Sequence, residues 1–152
     1  MRFNGITKKL YYEWTDFEQT ITEFGELVRT HRNPHILTLY RGGLPLGVRL
    51  SNQYNLPLSI LDYQSYDGDS KEVTMMKDAG IKPNETLYLV DDILDTGNTF
   101  KRVLDYLKDN FPKNKICVYA IFGDKHKYPE YNFWYHRNDN EWVVFEPWEG
   151  TE

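Results

Sequence analysis

A chain of 152 residues makes one domain with room for a real core, and 40% hydrophobic with 27% charged residues places it among soluble globular proteins. The net charge of −5 lacks the basic face that general nucleic-acid binding needs, and no apolar run approaches the length of a membrane span. A single cysteine, Cys117, excludes an internal disulfide, no signal peptide is recognised, and the chain reads as cytoplasmic.

Leu10 to Trp14 groups aromatics that suit a short strand or a packing arm. Thr15 or Asp16 can cap a helix running to about Arg29. Phe17, Ile21, Phe24 and Val28 recur at helical spacing, although Gly25 weakens the middle of that helix. Asn33-Pro34 breaks the chain, and His35 to Tyr40 reads as a strand. Arg41-Gly42-Gly43 follows at once, and a helix runs on to about Asn55. A strand, a glycine-rich turn and a helix form a phosphate cradle, and Arg41 offers a forked cationic donor to phosphate oxygens. A tight turn with a solvated arginine is the plainer alternative.

Leu56 to Leu61 is a second strand, and the alternation of strand and helix argues for a parallel sheet. Asp62 to Pro83 is a long polar connector, read as a lid, a surface hairpin or both, with Val73 to Met76 as a candidate hairpin strand.

The chemistry concentrates between Thr86 and Arg102. Leu87 to Val90 is a buried strand, Asp91, Asp92 and Asp95 follow within five residues, and Thr96-Gly97-Asn98-Thr99 opens an amphipathic helix. The helix N-terminus presents free N–H groups, and Gly97 permits a positive φ close to a ligand. Thr96 and Thr99 add hydroxyl donors. Asp91 and Asp92 stand at a strand's C-terminal end, where carboxylates suit sugar hydroxyls and a hard cation such as Mg2+. The combination points to a sugar phosphate bound with metal. A capped helix, with Asp95 or Asn98 as the N-cap, is the bland alternative.

Phe100, Val103, Leu104 and Leu107 continue a helical stripe, and Phe111-Pro112 ends it. Lys115 to Phe122 is a further buried strand that carries Cys117 as a buried thiol. His126 has no companion at metal-ligand spacing and reads as a loop histidine. The tail, Asn132 to Glu152, holds Trp142 and Trp148. An aromatic on a strand gives a base a flat face, although both tryptophans could equally serve a hood core or a dimer contact.

VDDILDTGNT resembles the phosphoribosyl pyrophosphate (PRPP) motif of type I phosphoribosyltransferases, and the resemblance extends in order from about Leu37 to Trp148. It implies an α/β fold: a mainly parallel sheet flanked by helices, in a single domain 1–152, with a hood from the N-terminal segment and about 124–152. It implies a purine enzyme that joins PRPP to a 6-oxopurine (hypoxanthine, guanine or xanthine) with Mg2+ as cofactor. Such an enzyme is cytoplasmic, binds no nucleic acid or membrane, and forms a homo-oligomer, dimer or tetramer. In that reading Arg41, Gly42 and Gly43 hold pyrophosphate, and the Tyr40-Arg41 peptide can be cis. Ser65 and Tyr66 close over PRPP. Asp91 and Asp92 hold the ribose hydroxyls and the metal. Thr96, Gly97, Asn98 and Thr99 hold the 5′-phosphate. Asp95, a PRPP contact, can also be the general base for the purine's ring proton. Lys125, with Lys127 as rival, reads the 6-oxo group. Trp142 stacks on the purine and Val143 offers backbone groups to its edge. The alternatives are a non-catalytic PRPP-binding regulator on the same fold and a pyrimidine phosphoribosyltransferase.

Overall fold

The computed structural model describes residues 1–4, 8–66, 70–94, 97–138 and 141–149. A six-stranded sheet forms the centre, in the order β5 (Ser70–Lys77), β4 (Leu58–Tyr66), β3 (Pro34–Tyr40), β6 (Thr86–Ile93), β7 (Lys115–Gly123), β8 (Asn132–His136). Every neighbouring pair is parallel except β4 with β5.

The inner strands are apolar on both faces because each face is covered. Ile36, Tyr88, Val90, Tyr119 and Ile121 point into one core, shared with α1 (Trp14–Val28) and α2 (Leu44–Tyr54). Leu37, Leu39, Leu87, Leu89, Val118 and Ala120 point into the other, against α3 (Asn98–Asn110). This is the period-two alternation of a strand carried across three neighbours. Phe100, Val103 and Leu107 on α3 are all buried. Each such side chain contributes about 1.5–3 kcal/mol by leaving water.

The apolar stripe of α1 is buried as its spacing predicts, but the cap lies elsewhere. Glu13 is the N-cap, and its N–H donates to the Asp16 carboxylate at 2.9 Å. Asp16 therefore acts from inside the first turn, and Thr15 caps nothing. Gly25 has a packing reason: a Cβ there would overlap the Tyr54 ring, whose hydroxyl donates to the Ile21 carbonyl at 3.2 Å. The two helices meet at this small residue.

The connector expected from Asp62 to Pro83 is largely a hairpin. β4 continues to Tyr66, and β5 returns antiparallel, with Ser65 opposite Lys71 and Tyr66 opposite Ser70. Val73 and Met75 pack on the α3-side core, while Met76 is exposed. Beyond β5 the chain is pinned by buried His35, whose Nε2 lies 2.8 Å from Ser59 Oγ and whose Nδ1 lies 3.0 Å from Glu85 Oε1. The same Ser59 hydroxyl accepts the Ala79 N–H at 3.0 Å.

A second sheet joins the two ends of the chain. β2 (Lys9–Tyr12) pairs antiparallel with β1 (Arg2–Asn4) and parallel with β9 (Trp142–Phe145). Tyr12 is fully buried and meets Phe17, Phe122, Trp134, Phe145 and Trp148 edge-on or tilted. α4 (Glu146–Glu149) follows β9 directly.

Strand β3 has β4 on one side and β6 on the other, and the chain changes direction between them. The crevice above the C-terminal ends of β3 and β6 is where open α/β sheets bind ligands.

Candidate active site

A turn and a strand end meet at that crevice. The first follows β3. Its Tyr40–Arg41 peptide is cis, matching the expectation from the resemblance. Gly43 N–H donates to the Leu39 carbonyl at 3.1 Å, and Leu44 N–H to the Arg41 carbonyl at 3.1 Å, so the chain reverses tightly into α2. The second is the end of β6, whose last residues include Asp91 and Asp92. The two touch through glycine. A Cβ on Gly42 would lie 2.8 Å from Asp92 Oδ2, and a Cβ on Gly43 would lie 2.6 Å from the Val90 carbonyl and 3.2 Å from Asp91 Oδ1. No larger residue lets the loops approach this closely.

The acid pair is partly buried. Asp92 N–H donates to Asp91 Oδ1 at 2.9 Å, and Ile93 N–H to Asp92 Oδ1 at 2.7 Å. Burial first, and the Asp92 charge second, push the Asp91 carboxyl well above the usual carboxylate range. Burial also pushes Asp92 up, and the carboxylate of Glu149 adds to the shift. Glu149 comes from α4 and accepts the Phe145 N–H at 3.1 Å. Its field on Asp92 places a third acid near the pair, one that no sequence motif marked. Adjacent carboxylates under these conditions favour a divalent cation or hydroxyl donors, and Mg2+ is commonly held by one or two carboxylates together with substrate oxygens. The donor set fits.

The third part is the start of α3. Gly97 is its N-cap at φ 83, a left-handed conformation that glycine adopts freely. Asn98 is the first helical residue rather than the cap, because Gly97 takes that place, and Thr99 follows it. The first turn of α3 carries the positive end of the helix dipole. Asp95 and Thr96 lie outside the described residues.

The phosphoribosyl transferase domain model matches residues 8–149. The chain belongs to that family. It is 30% identical over 101 residues to a hypoxanthine/guanine phosphoribosyltransferase of Aciduliprofundum boonei, covering 60% of this chain and 54% of that protein. The chain thus spans about half the length of that relative. It is 27% identical over 119 residues to a xanthine-guanine phosphoribosyltransferase of Idiomarina loihiensis, covering 74% of this chain and 71% of the other. Among solved structures, a purine phosphoribosyltransferase from Pyrococcus horikoshii superposes with a TM-score of 0.76 at 26% identity, over 95% of this chain and 96% of that one.

The remaining predicted residues of this phosphoribosyltransferase-family chain are more scattered. Ser65 and Tyr66 end β4 at the hairpin. Trp142 opens β9 opposite Lys9 and is 65% exposed, whereas Val143, opposite Leu10, is buried. Lys125 lies beyond β7, where its N–H donates to His136 Nδ1 at 3.1 Å. It lines a cavity of about 360 Å³ with Glu23, Tyr119, Tyr131 and Trp134, and neither acid-pair residue is among the walls. Cys117 is half-buried rather than buried, because β8 pairs with β7 only from Tyr119 onward. Among the described residues no helix is long and apolar enough to cross a membrane.

Proposed function

We propose that this chain is a purine phosphoribosyltransferase. It transfers the 5-phosphoribosyl group of PRPP to a 6-oxopurine and releases the nucleoside 5′-monophosphate and pyrophosphate. The observation that carries the reading is the contact of the Arg41-Gly42-Gly43 turn with Asp91 and Asp92 at the end of β6, at the sheet's switch point. It sets a pyrophosphate cradle beside a sugar-hydroxyl site, as PRPP requires. The names of the relatives supply the purine.

Arg41, Gly42 and Gly43 bind the pyrophosphate. Asp91 and Asp92 orient the ribose hydroxyls. Their charge opposes the positive charge that develops on the sugar as the pyrophosphate departs. Gly97, Asn98 and Thr99, with Thr96, hold the 5′-phosphate. Asp91 and Asp92 would hold Mg2+, which would supply charge neutralisation for the departing pyrophosphate. Asp95 takes the purine's ring proton. Ser65 and Tyr66, on the β4–β5 hairpin, exclude water above the pyrophosphate. Lys125 donates to the 6-oxo group, Trp142 covers the ring and Val143 meets its edge. The enzyme works in purine salvage in the cytoplasm, as a homo-oligomer.

The experiment is to incubate the protein with Mg2+, PRPP and a 6-oxopurine and to identify the products by mass. A nucleoside monophosphate with one equivalent of pyrophosphate is expected. PRPP left intact with every purine refutes the reading.

A further inference from the structure

The β7–β8 connector brings a tyrosine to the phosphate turn. Asp124 shapes the connector: its Oδ1 accepts the His126 N–H at 2.9 Å, and its carbonyl accepts the Tyr128 N–H at 3.0 Å. Tyr131 N–H donates back to the Tyr128 carbonyl at 3.2 Å. The two tyrosine rings stack, with centroids 5.8 Å apart and planes 10° apart. Tyr131 in turn lies 6.4 Å, centroid to centroid, from Phe100, a buried residue in the first turn of α3. An aromatic column thus runs from the connector to the base of the phosphate helix.

The end of that column presses on Gly97. A Cβ at Gly97 would overlap the Tyr128 hydroxyl and would lie 2.9 Å from Cζ and 3.1 Å from Cε1 of the ring. Tyr128 therefore fills the side of Gly97 toward which the turn could otherwise shift. Gly97 sits at φ 83, and any change there re-aims the N–H groups that follow it. A tyrosine occupies this space without the charge that a carboxylate would set against a bound phosphate.

We propose that Tyr128 is a positioning residue for the 5′-phosphate: packed on Tyr131, it holds Gly97 in place and thereby aims the first N–H groups of α3 at the phosphate. The role rests on the phosphoribosyl-transfer reading above, which assigns that turn to the 5′-phosphate. A general loss of structure would weaken every ligand. Loss of this contact weakens only the ligand that reaches the α3 turn.

The test is calorimetric binding of ribose 5-phosphate and, separately, of pyrophosphate with Mg2+, to the wild type, Tyr128→Ala and Tyr128→Phe. Tyr128→Ala is expected to weaken ribose 5-phosphate about tenfold and to leave pyrophosphate within about twofold. Tyr128→Phe restores the ring and is expected to recover most of the affinity. Unchanged ribose 5-phosphate affinity in Tyr128→Ala, or equal losses for both ligands, overturns the proposal. Wild-type protein that binds pyrophosphate but not ribose 5-phosphate overturns it too, with the pyrophosphate cradle intact. Selective loss of ribose 5-phosphate in Tyr128→Ala supports it even where the wild type forms no nucleotide, a result that would refute the transfer reading alone.

Discussion

The Asp92 carboxylate occupies the space where a side chain on Gly42 would stand, with Oδ2 at 2.8 Å and Oδ1 at 2.9 Å from that point. The Arg41-Gly42-Gly43 turn and the acidic end of β6 are therefore fitted to each other before any ligand arrives. Gly42→Ala must displace Asp92 or the Arg41 turn. The Cβ clash is confined to the site, so the fold should persist. PRPP affinity and turnover together are expected to fall roughly a hundredfold, the scale of an ångström-level misplacement. Steady-state rates alongside a thermal melt check this. A variant with normal kinetics would show that the two turns separate freely.

The acid pair opposes folding when ionised. Asp91 has a carboxyl held well above its ordinary range by burial and by the Asp92 charge, so it binds its proton more tightly folded than unfolded. Its contribution favours the fold below the unfolded pKa and is lost as pH rises through the folded one. Asp91→Asn keeps an oxygen that can accept the Asp92 N–H and removes the charge. Without Mg2+ it is expected to melt higher than the wild type at about pH 7, and the gain should vanish toward about pH 4, where the wild-type carboxyl is protonated. Melting curves across pH read this directly. A variant less stable than the wild type at neutral pH would refute the electrostatic account. The same variant should lose Mg2+-dependent protection.

Asp95 carries the proton-transfer prediction. Asp95→Asn keeps the shape but removes the proposed base. Turnover should fall by roughly 10²–10⁴-fold with PRPP binding largely kept. Near-normal turnover would assign the proton to another acceptor.

Much of the scaffold was legible because local signals and tertiary needs agree. Runs such as Leu87 to Val90 and Val118 to Phe122 are apolar throughout, as strands covered on both faces must be. The acidic motif and the Arg-Gly-Gly turn could be found because each joins an apolar strand to a helix with residues suited to phosphate or sugar hydroxyls. Other features depend on contacts that a linear pattern does not carry. Gly25 looks like a helix defect until Tyr54 is packed against it. On β5, Val73 and Met75 pack on the core while Met76 is exposed, and no linear pattern shows which strand they pair with. No motif marks Glu149, and α4 brings its carboxylate to the Phe145 N–H. Trp142 and Val143 are neighbours, yet Trp142 opens β9 exposed and the three residues after it are buried. Tyr128 belongs to no motif, and only the β7–β8 connector brings it to Gly97.

The central claim is transfer of a phosphoribosyl group to a 6-oxopurine. Its most direct test is the initial rate of nucleotide formation from PRPP and Mg2+ with hypoxanthine, guanine, xanthine and adenine at matched concentration, repeated with Lys125→Ala. A lysine donates to a 6-oxo group but cannot accept from the amino group of adenine. The account predicts nucleotide from at least one of the three 6-oxopurines, little from adenine, and a narrowed preference in Lys125→Ala. Adenine as the best substrate, or no nucleotide from any of the four bases, would contradict it.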